Sequence, residues 1–140
     1  MAQNTSPIFP LTPKLSWGAT MATAVTTVDG DLSVANVATI ATGKAVDGSR
    51  VDYVRVRALG TNTATVLRLF INNGSTAATA ANNALFTEAT IASTTLSQVA
   101  ALAETTIQLD LALPAGYKIL ATIGTTVAAG LVVSAVLGDY

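Results

Sequence analysis

Residues 106–113, TIQLDLAL, alternate without a break. Ile107, Leu109, Leu111 and Leu113 fall on one side of an extended chain, and Thr106, Gln108 and Asp110 on the other. Successive side chains on a strand point to opposite faces, so this stretch buries one face and wets the other only as a half-buried β-strand. A helix would scatter the same four residues around its circumference. Pro114-Ala115-Gly116 comes next, and 117–124, YKILATIG, resumes the alternation with Tyr117, Ile119, Ala121 and Ile123 inward. Pro opening a type I turn and Gly in a left-handed position fit a three-residue hairpin loop between two strands.

The same grammar runs through the chain. Segments 17–28, 32–41, 50–59, 63–72, 84–91 and 131–137 are rich in Val, Ile, Leu and Thr and read as strands. Turn residues separate them. Asp29-Gly30 suits a two-residue hairpin, Asp47-Gly48-Ser49 a turn, and Gly60-Thr61-Asn62 and Asn72-Asn73-Gly74-Ser75 are breaks. Val34, Val37 and Ile40 recur every three residues, which we read as a strand carrying a bulge. Residues 75–83 are small and polar and read as a loop. Residues 93–103 fit a short helix or an irregular crossover, with Leu96, Val99 and Ala100 at one-face helical spacing. The expectation is an all-β antiparallel β-sandwich. An eight-stranded jelly roll ranks first and an immunoglobulin-like sandwich second.

A chain of 140 residues is one domain's worth and long enough for one core. We divide it into an extended, proline-spaced N-terminal arm, 1–15, and a β-sandwich domain, 16–140. In the arm Pro7, Pro10 and Pro13 recur every three residues, with Ile8, Phe9 and Leu11 between them. Proline fixes φ and holds its predecessor extended. The apolar residues between make the arm a candidate for docking on a neighbour or partner; a disordered terminus is the plain alternative.

Composition excludes much chemistry. Neither cysteine nor histidine occurs, which removes disulfides, thiolate chemistry, the commonest metal ligand and any Ser-His-Asp triad. The few carboxylates are scattered, and no phosphate-binding loop or nucleophile elbow is present. We expect no enzyme activity, no catalytic or metal residues, no cofactor and no small-molecule substrate. The net charge of −1 argues against a nucleic-acid partner. No apolar run reaches membrane-spanning length, and the N-terminus does not resemble a secretory leader, so no membrane is expected. Only 11% of residues are charged while 51% are hydrophobic, a balance better suited to an assembly than to a free monomer.

The arginines pose the one open site question. In segment 50–59, Tyr53, Arg55 and Arg57 share a face opposite Val54, Val56 and Ala58; in 63–72, Arg68 and Phe70 share a face opposite Leu67 and Leu69. If the two segments pair, Tyr53, Arg55, Arg57, Arg68 and Phe70 form a single outer surface. That surface is either solvated, with long arginine stems over apolar ground, or a subunit interface with arginines bonded to Asp52, Asp110 or a partner's acids. Phe70 on an outward face favours a covered surface, unless a bulge shifts the register. A carbohydrate-binding module is a further alternative, weakened by 5% aromatic content and a single tryptophan, Trp17.

The stretches NTSPIFPLTPKLSWG, GSRVDYVRVRALGTNTATVLRLFINNG and LDLALPAGYKILATIGTTVAAG, with the closing GDY, resemble a family of small structural proteins of tailed bacteriophages. The likeness spans nearly the whole chain and its motifs are structural, not catalytic. It implies a virion location after assembly in the host cytoplasm, a capsid decoration or cement role on the major capsid protein, and a homotrimeric β-sandwich. A tail, collar or fibre component is the alternative within the same class.

Overall fold

A computed structural model describes residues 9–140; Pro7 and Ile8 of the expected arm lie outside the described residues. The strands are β1 (Thr12–Trp17), β2 (Ala38–Thr42), β3 (Ser49–Ala58), β4 (Thr65–Asn72), β5 (Asn83–Ile91), β6 (Glu104–Leu113), β7 (Lys118–Ile123) and β8 (Leu131–Asp139). Sheet A has the order β1-β8-β3-β6 and sheet B the order β2-β7-β4-β5, with every neighbouring pair antiparallel. The protein is an all-β sandwich. Its order differs from the A-B-E-D and C-F-G sheets of an immunoglobulin constant domain.

The core lies where the alternation predicts it. Val54 and Val56 of β3, Leu67 and Leu69 of β4, Ile119 and Ile123 of β7, and Val133 and Leu137 of β8 are buried between the sheets. In β6 the apolar positions turn inward and the polar ones outward, although Ile107, Leu109 and Leu111 are only half-buried on this edge strand. Asp52 is an extra residue of β3 against β8, and Asp110, at φ 45°, lies where β6 carries one extra against β3. These bulges let both Val51 and Val54 face the core despite their odd spacing.

Three expectations about connections need correction. Segment 17–28 is not a strand. Gly18 donates to the Val133 carbonyl and Met21 bridges Leu131 in sheet A, then Val25 donates to Ile123 in sheet B. The segment therefore laces the two sheets together, and buried Met21 and Val25 close the core. The eighth strand is instead β1, which crosses the expected boundary between arm and domain at residues 15/16. Asp29-Gly30 joins no pair of strands; Gly30, at φ 93°, offers its carbonyl to the Asn83 amide in a buried contact of 2.8 Å. Pro114-Ala115-Gly116 also makes no hairpin, because β6 and β7 belong to different sheets. The Tyr117 N–H donates to the Pro114 carbonyl with Gly116 at φ 75°, a type II pattern that carries the chain from one sheet to the other.

Other expectations hold locally. The bulge in 32–41 falls between Thr39 and Ala41, inside a strand shorter than the segment. Residues 93–103 take the irregular crossover: Thr94 bridges Asn62, while Leu96 and Val99 are exposed and form no helical face. Asn62 does more than break the chain. Nearly buried, it donates to the Gly130 carbonyl at 2.9 Å and accepts from the Ala129 N–H at 2.7 Å. Two hydrogen bonds and a backbone bridge thus tie three loops at one end of the sandwich.

Candidate interaction surface

The two outer faces of the sandwich differ, and the difference starts from what each loop covers. Sheet B is roofed by its own chain over β4 and β7, while Leu85 and Phe86 on its edge strand β5 are partly exposed. Phe70, Leu120 and Leu32 form a second buried cluster, with Val37 and Ala77 packed on it. The Leu32 N–H donates to the Ala77 carbonyl, so the two loops forming this roof are bonded to each other. Phe70 does point outward from its sheet, beside Leu120 of β7, but it is fully buried within the protomer. It is not available to another subunit, and this corrects its placement in a subunit interface.

Arg68 is separated from the other arginines for a simple reason. Strands β3 and β4 do not pair; they lie in opposite sheets. Arg68 faces outward from sheet B, with its Nε donating to Glu88 Oε1 at 2.8 Å and its side chain mostly covered. Its Nη1 and the Oγ1 of Thr122, the residue opposite it on β7, are buried without a hydrogen-bond partner among the described residues. Tyr53, Arg55 and Arg57 face outward from sheet A. The single surface expected for all five residues does not exist.

On sheet A the arginines are paired within the chain. Arg55 Nε and Arg57 Nη1 each lie 3.2 Å from one oxygen of Glu104 on β6. Arg50 Nε lies 3.1 Å from Asp52, and its Nη2 3.3 Å from Asp110. All these side chains are at least a third exposed, so each pair contributes about 0–1 kcal/mol. This half of the face, over β3 and β6, is a solvated charge ladder. Elsewhere, in the loop before β2, Ser33 donates from its hydroxyl and its backbone N–H to Asp31, which holds that exposed carboxyl below its usual range.

The other half of sheet A, over β1 and β8, is apolar, and no other segment among the described residues covers it. Leu15 stands opposite Val136, and Trp17 opposite Ser134. Since Val133, Ala135 and Leu137 face the core, Val136 and Ser134 face out, and Leu15 and Trp17 go with them. Leu15 is 71% exposed and Trp17 68%. The alternate residues Lys14 and Ser16 point toward the interior side at the sandwich margin, where Lys14 Nζ reaches Asp139 at 3.5 Å. Strand β1 thus turns its apolar side to solvent and its polar side in, the reverse of β6.

The start of the described chain joins this face. Pro10 rests against the outward position of β8 at Gly138, where a Cβ would fall 2.4 Å from the proline's own Cβ. Leu11 donates its N–H to the Asp139 carbonyl, yet the side chains of Phe9 and Leu11 are 77% and 71% exposed. Pro13, within β1, is exposed too. Of the expected arm, then, Phe9, Pro10, Leu11 and Pro13 border or belong to sheet A.

The apolar stripe of β1 went unread in the sequence although its signal is there. Leu11, Pro13, Leu15 and Trp17 alternate with Thr12, Lys14 and Ser16, but the prolines mark an arm and hide the period of two. No group of three carboxylates able to hold a metal occurs among the described residues. One half-open hollow of about 250 Å³, lined by Ala19, Thr20, Met21, Asn36, Val37 and Ala38, contains no ionisable group. No family model, curated protein or solved structure matches this chain.

Proposed function

We propose that this chain is a structural protein of a tailed-phage virion, a capsid decoration protein that binds the assembled head and stabilises it. The observation that carries the reading is the exposure of the described part of the arm. Phe9 and Leu11 border an ordered sheet with large apolar side chains in solvent. The phage-protein resemblance of the sequence supports the same reading, and so does a strand order that we read as a jelly roll, with consecutive strands crossing between sheets at every step but β4 to β5. The role is non-catalytic and acts by mass action: each copy bound to the shell, and not to its dissociated subunits, favours the shell.

Burying Phe9 and Leu11 would contribute roughly 1.5–3 kcal/mol each before ordering costs. The test is co-sedimentation of the protein with heads that lack it, comparing the full chain with a form missing residues 1–9. Weaker binding of the shortened form supports the reading, and equal binding removes the arm from it. Immunolabelling of intact particles separates head from tail, collar or fibre. A second reading, a carbohydrate-binding module, rests on the exposure of Trp17; a specific hit on a glycan array would favour it.

A further inference from the structure

We infer that the β1/β8 half of the outer face of sheet A is where a second copy of this chain docks, the same face of each copy meeting across a twofold axis near the Leu15–Val136 pair. Four observations single out this occupant. The first is area. Leu15 and Trp17 are each exposed by two thirds or more. At their sizes they offer on the order of 300 Å² of mainly apolar surface, and Val132, Val136 and Tyr53 extend it. A standard interface needs about 800 Å² per partner, so this patch supplies the apolar centre of one, with the flanking ion-paired residues as its rim.

The second is charge. Arg50, Arg55 and Arg57 on this face are matched by Asp52, Asp110 and Glu104, each already in an ion pair. A face that sums to zero does not select a strongly charged partner and does not repel its own copy, as a twofold contact requires. The third is layout. The apolar half lies to one side and the charge ladder to the other, so a contact centred on Leu15 and Val136 has an apolar middle and leaves the ladder at its rim.

The fourth is the state of the edge. Pro13 has no N–H and Lys14 is charged, and both sit on the edge strand β1. These residues discourage edge-to-edge strand addition, which leaves face-to-face packing as the way to cover the stripe. The contrast with sheet B sharpens the point. There the chain spends two loops on covering Phe70 and Leu120, whereas no segment among the described residues covers Leu15 and Trp17.

The experiment uses the full chain. Sedimentation velocity at tens of micromolar should show a dimer, in place of the trimer that the phage-protein resemblance implies. Leu15→Glu with Trp17→Glu places like charges against each other across the axis and should raise the dimer Kd by about tenfold to a hundredfold. Both side chains are in solvent in the monomer, so circular dichroism should be unchanged; Val99→Glu, in an exposed loop, should leave the dimer intact. A monomeric parent, or a double variant that assembles like the parent, overturns the inference. A second measurement does not depend on charge. The sequence has no cysteine, so Leu15→Cys reports a single pair, and sheets packed face to face lie about 10 Å apart, too far for a direct disulfide but within reach of a short bis-maleimide. That cross-linker should join Leu15→Cys into covalent dimers much faster than Val99→Cys. Equal rates, or a ring such as a trimer with this face on a different surface, overturn the twofold contact. Neither assay involves phage heads, so failure here leaves the capsid reading standing, and failure of head binding leaves this contact standing.

Discussion

A methyl group at position 138 has no room. It would fall 2.4 Å from Pro10 Cβ and 3.1 Å from its Cγ, so Gly138→Ala must lift the start of the described chain off β8 or move the strand. Overpacking of this kind costs roughly 1–3 kcal/mol, and a lowered urea midpoint at unchanged slope would register it. The arginines behave differently. Arg55→Ala with Arg57→Ala should leave the fold intact and change stability by no more than about 1 kcal/mol, because the pairs are exposed and share one acceptor, Glu104. Phe70→Ala should cost about 3–5 kcal/mol, as for other buried aromatics. Measured together by urea denaturation, the two variants separate a solvated ladder from a roofed cluster. A small loss at Phe70 would mean that the loops over sheet B do not hold.

Strand β1 decides what removal of the N-terminus does. A deletion of residues 1–9 stops short of it and should leave the circular dichroism spectrum and urea midpoint near those of the full chain. A deletion of 1–14 takes Thr12, Pro13 and Lys14 out of the pairing with Asp139, Gly138 and Leu137 and removes the Lys14–Asp139 ion pair. The longer deletion should lower stability clearly, and equal midpoints for both would show that β1 contributes little. The same strand marks what was legible in the sequence. Strands β3, β6 and β8 follow from period-two alternation and turn residues because their apolar face is the core face, and local pattern and tertiary burial agree; β4 and β7 also bury Phe70 and Leu120 on the outer face, and β5 leaves Leu85 and Phe86 exposed. In β1 they disagree: the apolar side is outward, and prolines interrupt the pattern. Segment 17–28 fails for another reason. Its Val and Thr suit a strand, but it exchanges hydrogen bonds with β8 and then with β7, and no local rule reveals a segment that changes sheets. The surface was legible in its parts and not in its assembly. Each arginine's face was right, while the sheet each strand joins depends on topology, which set Arg68 and Phe70 on the far side from Arg55.

At the scale of the molecule the two ends of the described residues are held side by side. Thr12 stands opposite Asp139, Ser49 Oγ donates to Asp139 at 2.5 Å, and Lys44 Nζ donates to the Tyr140 carbonyl at 2.5 Å. Ends this close allow circular permutation where a surface loop tolerates a cut. The loop before β6 is such a place, since Val99 is 98% exposed and no named strand passes through it. A permutant opened at residues 98–99, with Tyr140 joined to Phe9 by a short Gly/Ser linker, makes β1 and β8 neighbours in sequence. It brings β2 nearer to β7 and β3 nearer to β8, and moves β6 away from β3 and β7 away from β4. Loop-closure entropy changes by only about 0.6 kcal/mol per doubling of length, so these shifts largely offset one another. The permutant should reach the same β-sandwich, with the same far-ultraviolet spectrum and a stability within about 1–2 kcal/mol of the parent in urea. Failure to fold would show that the ends do not meet as the β1–β8 pairing requires, and with it the outward apolar face of β1 would lose its footing.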